Sequence, residues 1–425
     1  TKTADTADGA CTADCSLREA IAAANAAPGP ISFNIPTGDA GFQPIGSYWR
    51  IAVATPLPAL SGGGIAIDGL GGDGKPKLEL SGSGTTRLQG LLITSANNTV
   101  KGLIINGFIP NPQEGFGIRL YGPGTTGNTI TKNYIGTNFN ATAAGGDSTT
   151  HNRGGGIVLQ GGASKNTIDG NIIAGNGGYG IYLYDSVFLE QPNRQLANVI
   201  KNNYIGVAAD GASQLRNWND GIYVGDNSIG TVIGPNNLIS ANGSPNTETS
   251  FGVNIGGYLG DNTAYITGTL VIGNKIGTNA SGAAALGNVG GGVLIRSSSG
   301  ITIGGAQGNP ATPGGQGNLI AGNGGPGVWV KDTPGLGAGT ANITIVNNWI
   351  GLFAPAGTPP EIVRKLNAEV MRIMQLPEVK RRTESGNESM PTTSRAPRRS
   401  ASKEKKPSAQ PMSSTRLPVR SSGRP

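Results

Sequence analysis

The chain has 425 residues, 72 of them glycine, with only 13% charged and 5% aromatic side chains. So much glycine with so few charges suits a fold that turns often, and no apolar run is long enough to span a membrane. The formal net charge of +7 would suggest nucleic acid, but residues 353–425 hold 15 Lys or Arg against 6 Asp or Glu, leaving 17 against 19 in residues 1–352; the bulk is near neutral and nucleic acid is not an expected partner.

In chain order, Ser16-Leu17-Arg18-Glu19 is a capping box, with the serine oxygen on the third amide and the glutamate reaching back. A helix is expected from there to about Ala26. Its narrow apolar face, Leu17, Ala20, Ile21 and Ala24, suits the open end of a stack of strands, whose unpaired edges need a cover. From Ile31 to Gly107 come strand-like segments: ISFNI, GIAIDG, KLELSG, GLLIT and TVKGLIING.

A short phrase then recurs, glycine followed by two branched apolar residues with one variable residue between. It reads GIRL at Gly117, GIVL at Gly156, GIYL at Gly180, GIYV at Gly221, GVNI at Gly252, GVLI at Gly292 and GVWV at Gly327. Alternation along a strand sends the branched residues inward and the variable ones outward. Downstream of each phrase lies Asn-x-Ile, at Asn133, Asn171, Asn203, Asn237, Asn274, Asn318 and Asn348. An asparagine at the same turn of every repeat can bond to its neighbours above and below and tolerates left-handed backbone. The shortest interval, Gly156 to Gly180, holds three short strands and three turns, and the longer intervals add loops. A constant rung with variable loops indicates a parallel β-helix, right-handed because parallel crossovers are. With Gly64 and Gly90 fitting the same phrase, nine rungs are expected, a rod of roughly 40 Å. Long insertions leave after Gly136, Gly206 and Gly277, on every second rung, and should line one side.

The pattern stops after Gly351. Thr358-Pro-Pro-Glu361 opens a helix carrying Ile362, Val363, Leu366, Val370, Ile373 and Met374 at helical spacing, and beyond Met390 the chain is rich in Ser, Pro and Arg and is expected to be disordered. The expected organisation is a cap over 1–30, a β-helix over 31–352, a helical fragment over 353–388 and a basic tail over 389–425. The abrupt changes of composition after Gly351 and near Met390 suggest that the last two are foreign to the rod.

The string CSLREAI at Cys15 to Ile21, with Asp8-Gly9 and Cys11 before it, resembles the CSLREA domain at the start of secreted bacterial parallel β-helix proteins. PLPALSGGGIAIDG, NTVKGLIINGF and IGTNASGAAALGN further on are similar to repeats of that group, so the resemblance spans about residues 5–352. It implies a right-handed single-stranded, pectin-lyase-like solenoid and export to the outside or the cell surface, the export signal itself being absent from this chain. Residues 353–388 resemble the C-terminal region of tripartite tricarboxylate transporter substrate-binding proteins; with nearly all of such a protein missing, no ligand residue carries over. Cys11 and Cys15 are too few and too close for a four-ligand zinc site; a local disulfide and a pair of free thiols are the two readings.

For chemistry, His151 is the sole histidine and lies in a polar loop, which fits a solvated side chain; the glycine-rich strings lack the lysine and helix of a phosphate cradle. The outward columns of the repeated strand say more. The first runs Arg119, Val158, Tyr182, Tyr223, Asn254, Leu294, Trp329, and the second Tyr121, Gln160, Tyr184, Gly225, Gly256, Arg296, Lys331. Tyr182 should sit beside Tyr223, with Asp185 and Asp226 at equivalent positions beyond them and Asp220 flanking. Two such carboxylates would repel, share a proton or bind Ca²⁺, the one cofactor considered. Tyr121, Tyr182, Tyr184, Tyr223 and Arg119 could contact a glycan, and Asp185, Asp226 and Asp220 are the candidate acids; alternatively the tyrosines stabilise the sheet and the aspartates end strands in turns. The leading reading is a secreted or cell-surface rod with a structural, adhesive or glycan-contacting role, its partner a polysaccharide or cell-surface glycan. The alternative is a carbohydrate-active enzyme, a polysaccharide lyase or hydrolase, working on that face. Oligomeric state is not encoded legibly.

Overall fold

The computed structural model describes residues 1–82, 89–109, 114–144, 151–184, 195–245, 249–257, 266–305, 315–331 and 339–351. Asp185, the helical fragment at 353–388 and the tail at 389–425 lie outside the described residues. Thr1–Phe353 form one compact unit, an all-β solenoid with one helix among the described residues.

That helix, α1, spans Leu17–Ala26 and starts as the capping box requires: Ser16 accepts from the Glu19 amide, and the Glu19 carboxylate accepts from the Ser16 and Asp8 amides at 2.8 Å each. These backbone donors hold the Glu19 pKa down to about 2. Leu17, Ile21 and Ala24 are buried as expected. Cys11 and Cys15 form a disulfide just before the helix.

Among the described residues the strands build three long sheets, of ten, eleven and eight strands, and a two-stranded one. The rungs of the body contribute to the three long sheets in turn, so neighbouring strands of a sheet are a whole rung apart in sequence and pair in parallel, the one exception being an antiparallel pair at the start of the eleven-stranded sheet. The recurring phrase makes the eight-stranded sheet, where Ile118, Ile157, Ile181, Ile222, Val253, Val293 and Val328 stand in register. They point into one continuous apolar core with the Asn-x-Ile isoleucines from Ile135 to Ile320.

The phrase begins with glycine for a steric reason. A Cβ there would lie 2.4 Å from the Ile173 methyl at Gly156 and 2.7 Å from the Ile205 methyl at Gly180, and similarly on the Asn-x-Ile isoleucine at the other five positions. Only glycine lets the chain close the corner over the core.

The Asn-x-Ile residues form the expected ladder. Asn133, Asn171, Asn203, Asn237, Asn274, Asn318 and Asn348 are linked side chain to side chain, each amide donating to the next oxygen at 2.7–3.0 Å. Each asparagine below Asn348 also accepts from the preceding backbone N–H or gives its second amide hydrogen to a carbonyl, as Asn171 does with Ile130. Two further ladders went unread in the sequence. One joins Asn98, Asn128, Asn166 and Asn198; the other joins Asn152, Asn176, Asn217, Asn242, Asn288 and Asn323.

Two expectations are corrected. Gly64 precedes Ala66–Asp68, a strand of the ten-stranded sheet, so it is not one of the phrase column; only Gly90, before Leu91–Ile93, joins that column. The ten-stranded sheet also gives ten rungs where nine were counted, because the column of eight phrases leaves out both the first rung, starting at Pro30–Ser32, and the last, starting at Thr344–Ile345. The sequence reading also missed Tyr48–Val53, which pairs antiparallel with Phe42–Gln43 and in parallel with Leu78–Gly82. The long turns behave as expected: bridges Thr137–Ala144, Val207–Gln214 and Thr278–Ala285 close them as hairpins on one side of the rod.

Candidate functional site

The outward face of the eight-stranded sheet keeps the expected register. Leu92, Arg119, Val158, Tyr182, Tyr223, Asn254, Leu294 and Trp329 succeed one another across it. Its accessibility is uneven, which overturns part of the expected surface. Val158, Asn254, Leu294 and Tyr223 are buried, Tyr223 with 1% of its surface exposed, so Tyr223 offers no ring face to a sugar.

The cause lies in the second column. Glycine at 225 leaves room for the Tyr223 ring, since a Cβ there would lie 2.5 Å from it, and the ring lies along the sheet until its hydroxyl donates to the Gly256 carbonyl at 2.6 Å. Burial raises the Tyr223 pKa, so the phenol stays protonated. Tyr182 stacks in parallel with Tyr179 at 4.4 Å and with Tyr184 at 5.3 Å, and meets Tyr223 at a tilt of 59°. Tyr179 was absent from the expected set. Tyr179, Tyr182 and Tyr184 are half-buried.

The candidate acids fare differently. Asp226 is fully buried, and its expected pair with Asp185 falls outside the described residues, as does any calcium site between them. Among the described residues no three His, Cys, Asp or Glu side chains gather as a metal site would require. Asp220 is 5% exposed and accepts from the Phe251 amide and, at 3.0 Å, from the Asn254 side chain. Burial pushes its pKa up to about 7, against the hydrogen bonds and the charge of Arg296. Its oxygens staple two strands of neighbouring rungs, Ile222–Val224 and Phe251–Gly256, and are not presented to a polymer. His151 stacks on Trp218 at 5.8 Å, so it is held against the rod and is not a freely solvated side chain.

Cations mark both ends of the face. The Arg119 guanidinium lies 5.0 Å from the centre of the Tyr121 ring, which is 42% exposed. Its Nε is buried without a hydrogen-bond partner, and burial lowers its pKa. At the last rung Lys331 lies 4.6 Å from the centre of Trp329, also exposed.

The right handed beta helix region family model matches residues 81–307, more than half of the chain. The chain belongs to that family. Its members' handedness agrees with that expected from the crossovers. Among solved structures, it is similar to the A-module of mannuronan C-5 epimerase AlgE4 from Azotobacter vinelandii, at 15% identity over 80% of this chain and 93% of that one, with a TM-score of 0.37. An alginate lyase from Paenibacillus sp. str. FPU-7 is similar at 13% identity over 71% and 89%, with a TM-score of 0.30. The periplasmic alginate epimerase AlgG is similar at 12% identity over 72% and 78%, with a TM-score of 0.28. No curated protein matches the sequence. No residue role is carried over from these structures.

Proposed function

We propose that this β-helix is a secreted or cell-surface rod that contacts an anionic glycan through the outward face of its eight-stranded sheet, at the Arg119 and Tyr121 end. The observation that carries this reading is Arg119, a partly desolvated guanidinium with a buried donor that has no partner beside an exposed aromatic ring. A cation in that state gains more from an anion than a hydrated one does, and the ring beside it supplies a flat surface for a sugar's C–H face. Tyr184 and the half-buried stack behind it continue that surface, while Tyr182 and Tyr223 chiefly hold rungs together.

The rival enzymatic reading needs an acid that reaches substrate. Asp220 has a suitable pKa but is enclosed, and Asp226 is fully buried. A glycan array that includes neutral, uronate-bearing and sulfated polymers, alginate among them, tests the leading reading. Arg119→Gln should weaken binding of the acidic hits about tenfold while leaving the melting curve unchanged. Equal binding by both proteins rejects the Arg119 site. Release of reducing ends or unsaturated products from any hit would instead establish the enzyme.

A further inference from the structure

The alternation of long and plain turns has a geometric consequence on the eleven-stranded sheet. Hairpins closed by Thr137–Ala144, Val207–Gln214 and Thr278–Ala285 stand on every second rung, about 10 Å apart, and touch through the Ala209 amide on the Ala141 carbonyl and the Ala280 amide on the Gly211 carbonyl. Each plain rung between two hairpins leaves a gap above the sheet. The gap over Leu238 is filled by its own apolar cluster with Val207 and Ala241, against Tyr204, Ala280 and Leu286. The gap over Ile172 is not filled.

There a groove of about 470 Å³ remains, floored by Tyr134 and Ile172, which are neighbours in register, and rimmed by Asn140 and the 73–77 turn. Its size is that of a small-ligand site. The rim is unevenly charged. Lys77 is neutralised by Asp73 at 3.1 Å, whereas exposed Lys75 has no ion pair among the described residues. The Tyr134 hydroxyl makes no hydrogen bond there either, and burial, with Asp73 second, raises its pKa, so it remains a donor at neutral pH.

We propose that this groove binds one end of an acidic saccharide, with a sugar ring on Tyr134 and Ile172, its hydroxyls on the Tyr134 phenol and Asn140, and its anionic group on Lys75. A half-buried ring next to an aliphatic side chain matches the C–H face of a pyranose, and the one uncompensated charge of the rim selects an anion. The site lies on a different sheet from Arg119 and stands whether or not that face binds glycan.

Calorimetric titration of the full chain carrying Arg119→Gln isolates it, with neutral, uronate-bearing and sulfated tetrasaccharides as probes. An acidic probe should bind in preference to the neutral one. Adding Lys75→Glu should weaken it at least about tenfold, and Tyr134→Phe, which keeps the ring, severalfold. Whichever acidic probe binds identifies the anion as carboxylate or sulfate. Preference for the neutral probe, absence of binding by all three, or affinity unchanged by Lys75→Glu would overturn the proposal.

Discussion

A carboxyl held between two strands with its pKa pushed up to about 7, as Asp220 is, makes the rod's stability depend on pH in an unusual direction. An acid whose folded pKa exceeds its unfolded one binds more protons folded than unfolded, so its contribution is present below the unfolded value and is lost as pH rises through the folded one. At about 1.4 kcal/mol per pKa unit the ceiling on that loss is about 4 kcal/mol between roughly pH 4 and pH 8. Urea unfolding should therefore show a higher midpoint at about pH 5 than at about pH 8, a range where low-pKa carboxylates such as Glu19 stay ionised. Asp220→Asn keeps an acceptor for the Phe251 amide and should remove most of the difference; an unchanged difference would place the titration elsewhere. The same neighbourhood shows where residue-level reading of the sequence reached its limit. That Tyr182 neighbours Tyr223 follows from register and was legible. That Tyr223 lies flat and buried depends on the glycine at 225, two residues further along the chain, and on reaching the Gly256 carbonyl of the next rung, and alternation alone carries no such information.

The ladders are the element-scale determinant. Buried asparagines can stack indefinitely because each side chain both donates and accepts, so the turn leaves no orphaned amide inside. Asn203 accepts from the Asn171 backbone and side chain and donates to Asn237 Oδ1 and the Ile168 carbonyl. Asn203→Ala strands all of these in a dry turn and should cost roughly 3 kcal/mol or more, at about 1–3 kcal/mol for each unsatisfied buried group. Asn348→Ala, at the partly exposed end of the same ladder, lets water replace the lost bonds and should cost no more than about 1 kcal/mol. Comparable denaturation midpoints for the two variants would show that the ladder acts through something other than polar satisfaction. The Asn-x-Ile ladder was legible because it travels with an isoleucine at fixed offset. The third ladder had a signal too: in Asn152, Asn176, Asn217, Asn288 and Asn323 the asparagine stands four residues before the phrase glycine, and only Asn242, separated from its phrase by a longer loop, breaks the offset. The ladder from Asn98 to Asn198 fades along the rod, since Thr231 and Thr269 and then Ile301 take the equivalent position, and a motif that changes residue type within one chain is hard to read from a single sequence.

At the scale of the whole rod the two ends differ in kind. The first is covered by α1, whose Leu17 and Ile21 join the core. At the other, the inward residues of the last rung are open: Val330, Ile345 and Ile350 are 42%, 43% and 51% exposed, while Ile295, Ile303 and Ile320, one rung earlier in the same columns, are fully buried. A solenoid's stability is close to a sum of rung terms and nearest-neighbour interfaces; among the described residues the last rung has one neighbour, so it holds on by half of what an inner rung has. Unfolding should fray from residues 344–351 inward, with amide exchange fastest there and slowest around residues 199–205. The same column supplies the matching substitutions. Ile205→Ser removes a fully buried side chain and leaves a hydroxyl in the core, which should cost roughly 3 kcal/mol or more, whereas Ile350→Ser should stay within about 1 kcal/mol. Exchange that is uniform along the rod, together with equal costs for the two serines, would mean that the last rung is as well covered as the inner ones and that the end of the repeat is not the end of the core.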